Sequence, residues 1–135
     1  MNRILRPAGG RRPSGYSDGI EARGRLVFVA GQIATTSDGT VAARDLGAQV
    51  EQALRNVVAV LSAGGADPSH VVRMTWFVTD MDEYRRARAH VGEAYRAVMG
   101  NHYPAMTLVA VTALVDPAAR VEIEATAVVP DDERT

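Results

Sequence analysis

Two stretches of this chain repeat apolar residues at helical spacing, with a strand-like alternation between them. Leu46, Val50, Ala53, Leu54, Val57 and Leu61 recur every three or four residues over about 43–63, and Tyr84, Ala87, Val91, Ala94, Tyr95 and Val98 do so again before Gly100. That spacing collects side chains on one stripe of an α-helix, so each helix has one face to bury. Gly64-Gly65 stops the first helix and Asp67-Pro68 follows as a turn. Asp80 with Glu83 three residues on forms a capping pair for the second. Between the helices, Val72, Met74, Trp76 and Val78 alternate with Arg73, Thr75 and Thr79, which is strand periodicity.

The remaining segments complete a sheet. Arg25 to Ala30 is a continuous apolar run, the pattern of a strand buried on both faces. Gly31-Gln32 breaks it, and Ser37-Asp38-Gly39-Thr40 is a turn signal. Two last strands, roughly 106–115 and 120–129, flank a turn at Asp116-Pro117. The order predicts an α+β fold, a single mixed β-sheet with two helices packed on one face. The chain reads as one domain over 1–135, with 1–14 and 130–135 expected to be peripheral or flexible. The second face of the sheet would then be bare. Val109, Val111, Ala113, Ala125 and Ala127 put small apolar residues on both faces of the last strands, and self-association is the simplest cover.

Composition removes several function classes. The formal net charge is −1, so no global field draws in nucleic acid or anionic membrane. There is no cysteine, which excludes thiolate metal sites and a cysteine nucleophile. No apolar run approaches the ~20 residues of a membrane helix, and Met1 to Pro7 lacks a signal-peptide core, so a cytoplasmic location is expected. His70, His90 and His102 show no metal-ligand spacing, and no metal or other cofactor is expected. Gly9-Gly10 and Gly64-Gly65 open no strand-to-helix phosphate loop, and no serine has a nucleophile-elbow context. Arg3, Arg6, Arg11 and Arg12 lack the aromatic platforms of a single-strand binder. Arg85, Arg86 and Arg88 are interleaved with Asp80, Asp82 and Glu83 and read as a solvated helix face.

One constellation carries chemistry. Glu122 and Glu124 share a face of the last strand, alternating with Val121, Ile123 and Ala125. A solvated sheet produces the same alternation. On a face closed off by another subunit, a carboxylate can instead hold and activate a water as general base, while Glu124 pairs with an arginine. The segment Tyr103-Pro104-Ala105-Met106-Thr107 would aim Met106 at the same site.

Several markers fall in a specific order: Tyr16, Val29-Ala30-Gly31-Gln32-Ile33, Leu54-Arg55-Asn56-Val57, Val71 to Val78, Tyr103-Pro104-Ala105, and Val121-Glu122-Ile123-Glu124-Ala125. From Gly15 to Val129 the chain resembles the Rid family of reactive-intermediate deaminases, also called YjgF or L-PSP. The resemblance implies a chorismate-mutase-like fold and a homotrimer with small-molecule clefts between subunits. It also implies hydrolysis of enamines and imines to a carbonyl product and ammonia without a cofactor. Carried over by position, Glu122 would hold the attacking water, Tyr16 would close the pocket, and Gly31 with the backbone near Thr107 would flank the substrate. The family's carboxylate-gripping arginine falls on Met106, and its serine before the glycine on Ala30. Methionine offers neither charge nor donor, so it cannot replace a bidentate guanidinium. Three readings follow: a deaminase of altered specificity, with Arg73 as a substitute cation; a non-catalytic small-molecule-binding trimer; and an endoribonuclease, which lacks a basic groove here.

Overall fold

The structure is a computed structural model in which residues 2–131 are described. Part of the tail expected to be peripheral, 132–135, lies outside them. The sheet consists of β3 (Arg25–Gln32), β4 (Val71–Val78), β5 (Ala105–Ala110) and β6 (Val121–Val129), in the order β3-β6-β4-β5. β6 is antiparallel to both neighbours, and β5 runs parallel to β4. A parallel pair needs a crossover, which the second helical segment supplies. The N-terminal stretch, whose glycines and prolines predict turns around short extended pieces, forms a separate pair in which β1 (Arg3–Leu5) runs antiparallel to β2 (Gly19–Glu21).

The helix α1 spans Leu46–Ala63 and begins three residues later than the apolar spacing suggested. Asp45 is extended there and its carboxylate accepts from Ala48 N at 3.0 Å, which makes it the cap. The helix buries Leu46, Val50, Ala53, Leu54, Val57 and Leu61, the predicted stripe, and ends at Gly64. A 3-10 turn, Pro68–His70, leads into β4. The second helix is broken in two, α2 (Met81–Arg86) and α3 (Arg88–Met99). Asp80 does cap it, accepting from Glu83 N at 3.1 Å. At Ala87 the backbone leaves helical geometry, and its N–H is shared between the carbonyls of Glu83 and Tyr84.

Both long helices lie on one sheet face, against Val29, Met74, Trp76, Val78, Val121, Ile123 and Ala125. The opposite face is bare. There Leu26 is 57% and Phe28 70% exposed, so β3 is not buried on both faces as its apolar run suggested. The run places Val27 and Val29 toward the helices and leaves the alternate residues with no layer to meet. β5 is also shorter than predicted. It ends at Ala110 because its partner β4 ends at Val78, and Val115 beyond it is fully exposed.

Buried Gln49 fastens α1 to the segment that launches β6. Its amide donates to the carbonyls of Ala43 (2.8 Å) and Ala118 (2.9 Å), and its oxygen accepts from Arg120 N at 2.8 Å. Glu122 is two residues beyond that anchor.

Candidate functional site

The strand register decides which candidate residues can meet. Trp76 of β4 stands opposite Leu108 on one side and Ile123 on the other, so both neighbours point to the helix face. Met106 shares parity with Leu108 and faces the helices, whereas Glu122 adjoins Ile123 and faces the bare side. Within one protomer, Met106 and Glu122 therefore do not converge. The predicted residues fall into two groups.

The first group is Gly31 with Glu122. Between Val29 and Gln32 the β3–β6 register slips by one residue, a bulge formed at Ala30-Gly31. The bulge brings the Gly31 backbone under the Glu122 side chain. A Cβ at Gly31 would overlap Oε2 and lie 2.7 Å from Cδ. Glycine is thus a requirement of close approach here, not of backbone angle, since its φ is not positive. Glu122 is half-buried and, among the described residues, its carboxylate has no hydrogen-bond or ion-pair partner. Thr107 lies on this same bare face, exposed and paired with Thr75, one residue from Met106 but pointing the other way.

Tyr16 and Met106 form the second group, in a cavity of about 460 Å³ on the helix side. Ser17 places Tyr16 there. Its N–H donates to the Pro104 carbonyl at 3.0 Å and its hydroxyl to the Tyr103 carbonyl, tying the N-terminal segment to the start of β5. One wall is aromatic: Trp76 and Tyr95 have centroids 6.2 Å apart, and Tyr95 stacks on Tyr103 at 5.3 Å. Tyr95 donates to the His102 carbonyl, and burial, with Tyr103 beside it, pushes its phenol well above the usual range.

The cations nearest these residues are exposed. Arg73 pairs with Thr126 on the bare face, exposed and on the far side of the sheet from Met106, so within one protomer it does not reach that cavity. Arg88 and Arg96 line the cavity instead. Both are exposed, so Arg88 keeps to the solvated face expected of it while bordering the cavity, and Arg85 pairs with Asp82 at 3.3 Å. The available signal was the i, i+4, i+8 row Arg88-Gly92-Arg96 running beside the apolar stripe.

The histidines have separate structural partners. His70 Nδ1 accepts from Asp67 N, His102 Nε2 meets the Val71 carbonyl, and His90 stands 3.4 Å from Asp45. Among the described residues no cluster of three or more metal-ligand side chains forms, and no helix is long and apolar enough to cross a membrane.

The family described as Endoribonuclease L-PSP matches residues 10–129. The 2-iminobutanoate/2-iminopropanoate deaminase of Salmonella typhimurium strain LT2 is 34% identical over 116 residues, 84% of this chain and 86% of that protein. The solved structure of the Rid-family protein YyfB from Yersinia pestis superposes with a TM-score of 0.83 at 32% identity, covering 95% of this chain and 98% of that one. Escherichia coli TdcF, solved with bound serine, has a TM-score of 0.68 at 30% identity over 94% of this chain and 98% of that one. The marker residues, the fold and these likenesses agree: the chain belongs to the Rid family, also called YjgF or L-PSP.

Proposed function

We propose that the protein hydrolyses a reactive enamine or imine to a carbonyl compound and ammonia, with Glu122 holding the attacking water. The observation that carries this reading is the unpartnered Glu122 carboxylate seated over the Gly31 bulge. A half-buried carboxylate with free lone pairs beside exposed strand backbone can accept a water's proton. An enamine would first tautomerise to the imine. Water oxygen then bonds to the imine carbon while Glu122 takes the water's proton. Glu122 passes that proton to the imine nitrogen, giving the carbinolamine. It then takes the carbinolamine hydroxyl proton and returns it to nitrogen, so the C–N bond breaks and ammonia leaves as the C=O bond forms.

Because the two residue groups lie on opposite sheet faces, a complete site needs two protomers. Gly31 and Glu122 would come from one, and Tyr16 and Met106 from its neighbour. The exposed Leu26 and Phe28 give the bare face a reason to meet a second copy. A homotrimer, as in the family resemblance, closes such a ring of heterologous contacts. Similarity to a named iminobutanoate deaminase and to a serine-bound relative supports a small-molecule site of this chemistry.

The test is release of keto acid and ammonia from freshly generated aminoacrylate and branched-chain imines. Glu122→Gln is expected to abolish it; unchanged hydrolysis would remove the water-holding role. Met106 favours a second reading, a trimer that binds a small apolar molecule without converting it. That reading predicts a co-purifying ligand by mass spectrometry and no turnover of any imine.

A further inference from the structure

We infer that Arg88 and Arg96 of α3 form an anion-binding pair that takes the carboxylate of a keto or imino acid with a bulky apolar side chain. This inference rests on the deaminase reading for its choice of ligand, and on the helix-side cavity for everything else. Arg88, Gly92 and Arg96 occupy one row of α3, four residues apart, so their Cα atoms climb about 6 Å at each step. Helical side chains lean toward the N-terminus, which carries the Arg96 guanidinium back over Gly92. A Cβ built at Gly92 would stand 3.3 Å from Arg96 Nη1. The helix-interior glycine thus leaves open the space over which the Arg96 guanidinium lies. A glycine there costs the helix roughly 0.5–1 kcal/mol relative to alanine, which a purely structural row would not require.

Neither guanidinium has a carboxylate partner among the described residues. Both arginines are exposed where they border the one cavity, and planar guanidinium groups fit a carboxylate with paired hydrogen bonds. A third observation concerns Trp76. It is only 3% exposed, it lines the same cavity, and its indole N–H is buried with no acceptor. A buried donor left unpaired costs about 1–3 kcal/mol, so a ligand oxygen there would remove a standing penalty. Met106, Leu108, Val91 and Tyr103 add an apolar and aromatic wall that suits a branched or ring-bearing side chain. The charge absent from the strand at Met106 is supplied from the facing helix.

Trp76 is the sole tryptophan, so the whole protein reports occupancy through its own fluorescence. The experiment titrates it with the keto acid of leucine and with methyl isobutyl ketone, which has the same branched ketone body without the carboxylate. The keto acid is expected to give a saturable change, with the ketone at least tenfold weaker. Arg88→Gln and Arg96→Gln should each weaken the keto acid roughly tenfold or more and leave the ketone nearly unaffected. Gly92→Val, which displaces Arg96 from its seat over Gly92, should weaken the keto acid as well. Equal affinity for acid and ketone, or keto-acid affinity within twofold of the parent in both arginine variants, would overturn the inference. The two proposals fail separately. Hydrolysis that needs Glu122 but ignores Arg88 and Arg96 sinks this one alone. Arginine-dependent binding with no Glu122-dependent hydrolysis sinks the deaminase reading alone.

Discussion

Replacing Gly31 by alanine separates stability from chemistry. The Gly31 backbone has no positive φ, so alanine can adopt it, and the added Cβ lowers the entropy of the unfolded chain by an amount worth about 0.4–1 kcal/mol. The same Cβ would stand 2.7 Å from Glu122 Cδ, whereas ordinary contact begins at 3.4 Å. The carboxyl carbon must therefore retreat by ~0.7 Å, and the overlapped Oε2 by more. Glu122 is the flexible partner in this contact, so the side chain moves and the strand stays. A misplacement near 1 Å in a reacting group costs on the order of a hundredfold in rate. Gly31→Ala should thus melt within a few degrees of the parent while imine hydrolysis falls roughly ten- to a hundredfold. Thermal melting alongside ammonia release from aminoacrylate measures both. Hydrolysis within threefold of the parent, with Glu122→Gln inactive, would refute the close-approach reasoning.

Gln49→Leu strips two carbonyls and the Arg120 N–H of their buried partner and should cost about 2–4 kcal/mol, seen as a drop in melting midpoint of about 5 °C or more. A midpoint within 2 °C of the parent, on the order of a negligible free-energy change, would show that water replaces the amide. Met106→Arg is expected to raise turnover of the aminoacrylate-derived imine about tenfold, in line with one charged hydrogen bond, and steady-state assay of ammonia release decides it. Phe28→Glu puts a charge on the bare sheet face; light scattering should find the parent trimeric and this variant monomeric. A monomeric parent would leave Glu122 without a cleft.

Much of the fold was legible because period and punctuation agree. The α1 stripe, the Asp80 cap and the alternation of β4 each name their element from local sequence. At the N-terminus the short extended pieces were legible but not their pairing, since three-residue strands such as Arg3–Leu5 carry too few positions to show a register. The length of β5 depended on where β4 ends, a tertiary fact that the apolar run to Val115 conceals. At the site, the marker residues Tyr16, Gly31, Met106 and Glu122 could be named, but aiming Met106 and Glu122 at one site missed the register across three strands, which sets them on opposite faces of a protomer. Arg88 and Arg96 were hidden by their neighbours. The charged face is solvated, as its pattern says, and only the rotation of α3 against the sheet shows that the same face borders a cavity.

The division of the sheet into a Glu122 side and a Met106 side has a genetic consequence. If each half is completed by an adjacent copy, a variant lacking Glu122 and a variant lacking Arg96 carry different defects, and a mixed ring of the two rebuilds some intact clefts. Two inactive alleles would then complement in one cell, whereas two alleles damaged in the same half would not. The halves are also free to diverge at different rates. β6 and the bulge are constrained by the packing of the sheet, while α3 can exchange one polar residue for another on its cavity row and retune what the protein recognises.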